Sequence, residues 1–382
     1  MQCSVKHGEG RIWYEKEVLL TGMGNNLGGT ESFVHTVIEH LTENCEFSIL
    51  SIVPIEDVAY LEFLKRNNIQ IFYLNNIFGI KNVLKRKKII EVFLKKNKFD
   101  IIHINATTLN TTYMAKAAAE LGIKVIYQVH NLKPSGYSSL AKLLTKVIKL
   151  KNIWDLYWIK NITLVSVSED VAHQVFAPLK SKVILNGVTT KEFKFDVKER
   201  NIVRKNLNIK ESDKVGIIVA RMVPIKNYSK VISIINEGLE NDFDKFLIVG
   251  DGSERDKIND AIQNSKYSNS IYVLGERTDI NRLLWASDFM LLTSIAEGLS
   301  ISVIEAQAAG VVPIVSKGVP SDTNITGKVT YIDINEADDV WLKSIRKVLD
   351  ENIDREYMNT LVNDSQFSVD YFIKEISEIY KL

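Results

Sequence analysis

The chain has 382 residues, more than one hydrophobic core comfortably serves and enough for two α/β domains. Apolar residues make up 46% and charged residues 25%, which excludes a disordered chain, and a formal net charge of +1 leaves no global field to gather DNA or RNA. The two cysteines, Cys3 and Cys45, have no spacing suited to zinc, so a reducing compartment and no structural metal are expected.

Residues 1–16 are polar, glycine-bearing and aperiodic, an extension ahead of the first strand. The chain opens without an apolar run ending in a small-residue cleavage site, and no apolar run reaches about 18 residues, so neither export nor a membrane span is expected. From residue 17, short apolar runs alternate with helical patterns, the sign of β-α units on a parallel sheet. Strands are predicted at 17–22, 47–53, 69–73, 101–104, 125–129 and 162–167. A helix is predicted at 32–41, where Phe33, Val34, Val37, Ile38 and Leu41 share one face.

Two stretches of this half are basic. Lys81–Lys98 holds eight Lys or Arg against Glu91 alone, and Ala141–Lys160 holds five Lys against Asp155, with Trp154, Tyr157 and Trp158 among them. Such mixtures suit either an anionic membrane surface or solvated helix faces whose apolar stripe meets the core. One doubly wound domain accounts for residues 17–190.

Residues 191–208 have mixed charge and little periodicity and are read as a linker. A second series follows, with strands at 215–220, 246–249, 270–273, 289–292 and 311–315 and helices at 227–236, 254–263, 280–286 and 303–309, giving a second α/β domain over 209–358. Two such domains would face a cleft, where ligands commonly bind. Residues 359–382 are helical in pattern; Phe372, Ile376, Ile379 and Tyr380 form an apolar face that a free tail would not need, so the segment is expected to pack on a domain, a return to the first being one option.

Candidate chemistry gathers at strand ends. Gly28 and Gly29, between the first strand and its helix, permit a tight turn with positive φ whose N–H groups could face an anion; a structural turn is the other reading, since no full dinucleotide fingerprint is present. Arg221 follows a strand and Lys226 stands at the next helix start, two cations suited to a diphosphate. Gly252 ends a further strand, either approaching a ligand or simply turning the chain. Glu297 falls in a strand-end loop and Glu305 in the following helix, spaced to touch different parts of one extended ligand.

These motifs, strongest from Gly216 to Ser316 and above all Glu297 and Glu305 with seven residues between them, resemble the retaining glycosyltransferases of family 4. That family includes relatives of glycogen and sucrose synthases and many bacterial polysaccharide-building enzymes. It has the two-lobed GT-B fold, and the resemblance covers roughly residues 17–382. It implies a nucleoside diphosphate-sugar donor held mainly by the second domain, with Arg221 and Lys226 on its phosphates, Glu305 on the ribose hydroxyls and Glu297 orienting the transferred sugar. The backbone of Gly298, Leu299 and Ser300 would approach sugar or phosphates, although Ser300 stands where many relatives have a second glycine. Gly28 and Gly29 match the family's first-domain glycine loop, His130 resembles the histidine near the sugar, and Arg277 lies in the loop bordering the nucleobase.

The implied reaction joins the sugar to an acceptor hydroxyl with retention. Arg221 and Lys226 would stabilise the leaving phosphate, which could itself take the hydroxyl's proton. No protein nucleophile, cofactor or obligatory metal is expected. A UDP-sugar is the favoured donor, the group moved being a hexose or N-acetylhexosamine. A glycan or polyprenyl-linked acceptor in bacterial surface polysaccharide synthesis, of capsule or exopolysaccharide, is the favoured pathway. The expected location is cytoplasmic, with peripheral contact to an anionic membrane. A sugar-nucleotide epimerase of the same fold and a non-catalytic subunit of a glycan complex are the alternatives; a glycosidase would need two carboxyls flanking one bond.

Overall fold

The structure, a computed structural model, describes residues 16–25, 28–74, 77, 85–130 and 139–382, with backbone alone at 139–146 and 170. The extension at 1–15, Asn26 and Leu27 of the glycine turn, and Lys81 of the first basic stretch lie outside these residues. The chain divides into two units, one ending at Asn186 but regaining Phe372–Leu382, the other Gly187–Tyr371.

In the first unit the elements run β1 (Lys16–Thr21), α1 (Gly29–Leu41), β2 (Cys45–Ser51), α2 (Leu61–Arg66), β3 (Gln70–Tyr73), α3 (Arg86–Lys96), β4 (Ile101–Ala106), α4 (Thr112–Glu120), β5 (Lys124–Val129), α5 (Ser139–Tyr157), β6 (Ile162–Ser166), α6 (Glu169–Val171) and β7 (Lys182–Val183). They form a parallel seven-stranded sheet in the order β3-β2-β1-β4-β5-β6-β7. Central strands buried on both faces must be apolar throughout, and Val18, Leu19 and Leu20 are fully buried. The apolar face read for α1 is the buried one. A two-residue edge strand such as β7 carries too little pattern to be seen in sequence.

The second unit runs α7 (Thr190–Phe193), α8 (Val197–Asn206), β8 (Val215–Val219), α9 (Tyr228–Asn241), β9 (Lys245–Val249), α10 (Arg255–Gln263), β10 (Ile271–Gly275), α11 (Ile280–Ala286), β11 (Phe289–Leu292), α12 (Ile301–Ala308), β12 (Val312–Ser316), β13 (Thr330–Ile332), α13 (Asp338–Asp350) and α14 (Arg355–Asn363). Its six strands are parallel in the order β10-β9-β8-β11-β12-β13. Both sheets reverse direction of growth beside their first strand, between β1 and β4 and between β8 and β11. Such a switch point opens a crevice at the strands' carboxyl ends.

Two expectations change. Residues 191–208, read as a linker, are folded into the second unit as α7 and α8. Arg204 of α8 is buried and donates to the carbonyls of Ala286 at 2.9 Å and Asp213 at 2.8 Å and to the carboxylate of Asp288 at 2.8 Å. The inward face of this helix is built partly from arginine, which is why it lacked an apolar period. The C-terminal segment divides: α14 and the start of α15 (Val369–Tyr380) belong to the second unit, while residues from Phe372 onward pack on the first. There Phe372 meets Phe33 edge-on at 5.3 Å and the Tyr380 hydroxyl bonds His103 Nδ1 at 2.9 Å.

Candidate functional site

The loops leaving β8 and β11 lie side by side at the second switch point and are tied together. The Ile295 N–H donates to the Ile225 carbonyl at 2.8 Å, and the Thr293 hydroxyl donates to the Asn227 carbonyl at 3.1 Å. Lys226 closes a short 3-10 turn, Pro224–Lys226, after which Asn227 adopts φ +52° to start α9. This delivers the Lys226 ammonium onto Glu297 Oε1 as an ion pair with both side chains nearly buried. The same oxygen accepts the Ser294 hydroxyl at 2.5 Å, and the Glu297 N–H donates to the Gly318 carbonyl at 2.9 Å. A Cβ at Gly318 would stand 2.4 Å from the Ile295 carbonyl oxygen, so that close approach depends on glycine. Glu297 is therefore clamped through one oxygen, and Oε2 makes no hydrogen bond among the described residues.

Arg221 follows the same strand as Lys226 but is exposed, with no ion pair or hydrogen bond from its side chain among the described residues. One fixed and one uncommitted cation thus stand on a single loop. α12 begins beside them. Ser300, at its N-cap, makes no side-chain capping bond, its hydroxyl lying 3.5 Å from that of Ser302, so the positive helix start is left for another acceptor. Gly298 has open space where a Cβ would be, and Leu299 is half-buried.

Glu305 lies farther along α12, half-buried, its carboxyl with neither ion pair nor hydrogen bond among the described residues. Burial pushes its carboxyl up to about 7. A carboxylate withdrawn from water without a protein partner is costly. Hydroxyl donors from a ligand would relieve that cost.

Gly252 follows the turn reading, and Arg277 is engaged within its own loop. Gly252 has φ +156°, and a Cβ there would stand 2.5 Å from the Met222 carbonyl oxygen. Gly250 is at φ +131°, and a Cβ there would stand 2.1 Å from the Ala220 carbonyl oxygen. These glycines let the β9 loop press on the backbone that carries Arg221, so the close approach is to protein. Arg277 is paired in a bidentate fork with Asp279, at 2.7 Å for both bonds, which leaves the backbone of its loop as the part free to meet a base.

In the first unit Gly28 is the N-cap of α1 with φ −107° and Gly29 is its first residue. Neither takes the positive φ expected. That conformation falls on Gly22, at φ +91°, where a Cβ would strike the Asn105 carbonyl. The Gly24 N–H is bonded to Glu31 Oε1 at 3.2 Å, so a side chain of α1 already supplies the anion at this turn. His130 ends β5, buried, with Nε2 on Asn105 Oδ1 at 2.8 Å and the Phe33 ring edge-on at 5.0 Å. Burial, with neighbouring His103, lowers it to about 3, so it is neutral, and its Nδ1 has no hydrogen-bond partner among the described residues.

Sequence reasoning missed the roles of Ser294, Gly318 and Gln307. The wholly buried Gln307 donates to the Thr323 carbonyl at 2.6 Å and accepts from the Ile325 and Thr326 N–H groups at 3.1 Å, holding the loop beyond Gly318. The position of Ser294 three residues before Glu297 was its only signal.

This arrangement of cations, clamped carboxylate and open helix start on paired Rossmann-like sheets, taken with the comparisons that follow, defines the chain as a glycosyltransferase of the GT-B type. It belongs to the families described as glycosyl transferases group 1, matched over residues 199–361, and glycosyltransferase family 4, matched over residues 27–192. It is 27% identical over 325 residues to a UDP-Gal:alpha-D-GlcNAc-diphosphoundecaprenol alpha-1,3-galactosyltransferase of Escherichia coli, covering 80% of this chain and 81% of that one. It is 23% identical over 344 residues to a putative glycosyltransferase, EpsF, of Bacillus subtilis, covering 87% and 88%. Among solved structures, Anabaena HepE in complex with UDP superposes with a TM-score of 0.78 at 16% identity, covering 96% of this chain and 99% of that one.

Proposed function

We propose that the protein transfers a sugar with retention from a nucleoside diphosphate-sugar, a UDP-sugar in the favoured reading, to a glycan or polyprenyl-linked acceptor in bacterial surface polysaccharide synthesis, at the membrane face where such an acceptor is reached. The observation that carries this is Glu305: a withdrawn carboxylate without a partner, on the helix whose open start follows the Lys226–Glu297 pair. It suits the ribose hydroxyls of a nucleotide whose diphosphate meets Lys226, Arg221 and the start of α12. The similarity to a transferase whose name specifies a UDP-sugar and a diphosphoundecaprenol acceptor supports both substrate classes.

On this reading the donor's charge is met in stages. Arg221 closes on the diphosphate, while Lys226 shares its charge between phosphate and Glu297, strengthening its hold as the sugar–phosphate bond lengthens and negative charge collects on the leaving oxygen. That oxygen accepts the proton of the incoming acceptor hydroxyl on the same face. The hydroxyl oxygen bonds to the anomeric carbon, and the nucleoside diphosphate departs. Glu297 Oε2 accepts hydrogen bonds from the sugar's hydroxyls and fixes its orientation. Positive charge at the leaving group comes from the chain itself, so turnover is expected to survive chelation by EDTA.

The test is mass spectrometry of reactions containing UDP-, GDP- or ADP-sugars and membrane-extracted lipid-linked acceptors. An acceptor gain of one sugar, lost in folded Glu305→Ala and Arg221→Ala variants, supports transfer, and the configuration of the new bond decides retention. Donor isomerisation without acceptor gain would replace this reading by an epimerase.

A further inference from the structure

The two basic stretches of the first unit have different structures. On α3 the buried residues are Ile90, Phe93 and Leu94, while Lys87 pairs with Glu91 at 3.2 Å and Glu120 at 2.6 Å. This is an ordinary solvated face over an apolar one. On α5 and the turn after it, Leu150 is 65% exposed, Trp154 62%, Tyr157 62% and Trp158 64%, and Val147 is exposed as well. At about 100° per residue these five fall on one side of the helix. The opposite side is accounted for: Ile153 and Leu156 are buried, the Thr112 hydroxyl of α4 bonds Asn152 at 3.3 Å, and Asp155 pairs with Lys116 of α4. The helix is anchored inward by its own apolar and polar residues, so among the described residues the outward stripe is not needed to hold it in place.

We propose that this outward stripe docks the protein on an anionic lipid bilayer surface, with Trp154, Tyr157 and Trp158 at headgroup depth. The composition selects that occupant. Trp and Tyr favour the membrane–water boundary, where their apolar bodies and polar tips are both satisfied, and an outward apolar face flanked by lysine is the pattern of an interfacial helix. The three rings already touch, Trp154 to Trp158 at 5.6 Å and Tyr157 to Trp158 at 5.3 Å, forming a platform before any partner arrives. Charge agrees with it. Lys151 and Lys160 are exposed beside the rings, while the one acid of the segment, Asp155, is buried and neutralised by Lys116 and by Lys151 at 2.9 Å. Lysines at such a surface are attracted to anionic lipid and lose that attraction as salt rises.

The inference deepens the lipid-linked reading of the acceptor and rests on it only for its purpose. Vesicle binding is therefore measured on the full chain without donor or acceptor, so failure here and failure of the transferase reading are told apart. The probe is vesicles of phosphatidylglycerol and phosphatidylcholine, compared with phosphatidylcholine alone, read by co-sedimentation and tryptophan fluorescence. The wild type is expected to pellet with the anionic vesicles and its emission to shift to the blue, with quenching by brominated lipid. The Trp154→Ser/Tyr157→Ser/Trp158→Ser variant, in which only exposed side chains change, is expected to bind on the order of tenfold more weakly with an unchanged melting temperature. Lys151→Glu/Lys160→Glu is expected to weaken binding to the anionic vesicles and flatten its salt dependence. Three results would overturn the proposal: wild type that stays in the supernatant, a ring-less variant that binds as well as wild type, or a dimer in sedimentation that the ring substitutions dissolve.

Discussion

Glu305 makes the sharpest claim at the level of single residues. Its carboxyl is raised from 4.5 to about 7, so between those values the folded chain holds a proton that the unfolded chain has lost. Stability from this group is therefore greatest at low pH and falls as pH rises through that window. Glu305→Gln removes the ionisation; its melting temperature is expected to match wild type near pH 4, below the unfolded value of 4.5, and exceed it at pH 8, equivalent to roughly 1–3 kcal/mol. Donor binding should move the other way. If Glu305 holds the ribose as proposed, the ionised carboxylate would accept its hydroxyls more strongly than the neutral acid, so wild-type affinity for a nucleotide-sugar, whose diester phosphates do not titrate there, is expected to rise as pH passes 7. Calorimetric titration showing equal affinity at pH 6 and 8 would remove Glu305 from the ribose. Asn105 makes a second claim. Neutral His130 donates its Nε2–H to Asn105 Oδ1, which fixes the tautomer and leaves Nδ1 as an acceptor without a partner among the described residues. Asn105→Ala is expected to populate both tautomers, read from the ring nitrogen shifts in NMR, whereas an unchanged Nε2–H form would mean that the tautomer is set elsewhere.

Among the elements, the sheets were legible because a strand buried on both faces has little choice of residue: Val18–Leu20 of β1 and the run of β11 can be read without any partner. The glutamate spacing was legible too, since a strand end and the next helix fix where Glu297 and Glu305 can stand. α8 was not, because its core is electrostatic. Asp288 accepts Arg200 and Arg204 of α8 at 2.8 Å each and the Val215 N–H of β8 at 2.8 Å, with Arg355 of α14 at 3.6 Å, so three elements converge on one carboxylate. Periodicity in hydrophobicity does not register such a centre. The glycine turn misled for a related reason, since tertiary contact with Asn105 decided which glycine took the positive φ. Asp288→Ala would leave three arginines without their carboxylate and is expected to destabilise the second unit by about 3–5 kcal/mol, measured by urea unfolding. A loss below about 1 kcal/mol would mean that the carbonyls of Ala286, Ser287 and Asp213 alone satisfy these guanidinium groups.

At the scale of the whole molecule, the chain's last residues complete its first unit. Phe372, Ile376 and Tyr380 are buried there, Lys124 donates to the Ile379 carbonyl, and Lys182 pairs with Glu375 at 2.8 Å. Truncating a single large buried side chain costs about 2–5 kcal/mol, against about 5–15 kcal/mol for the stability of an entire domain. Removing three together, with the Tyr380–His103 hydrogen bond, is therefore on the scale of the first unit's whole stability. The second unit loses none of these contacts, since Val188 is bridged to Ser368 and the Val369 N–H to the Val188 carbonyl at 3.0 Å, all before Phe372. A chain ending at Tyr371 is expected to lose amide-exchange protection across β1, β4 and β5 while β8, β11 and β12 keep theirs. Because Arg221, Lys226, Glu297 and Glu305, the residues proposed to hold the donor, all lie in the second unit, that truncated chain should still bind a nucleotide while transferring no sugar. Protection retained in β1, β4 and β5 would show that the first sheet stands without its returning helix; protection lost everywhere would show that the two units unfold as one.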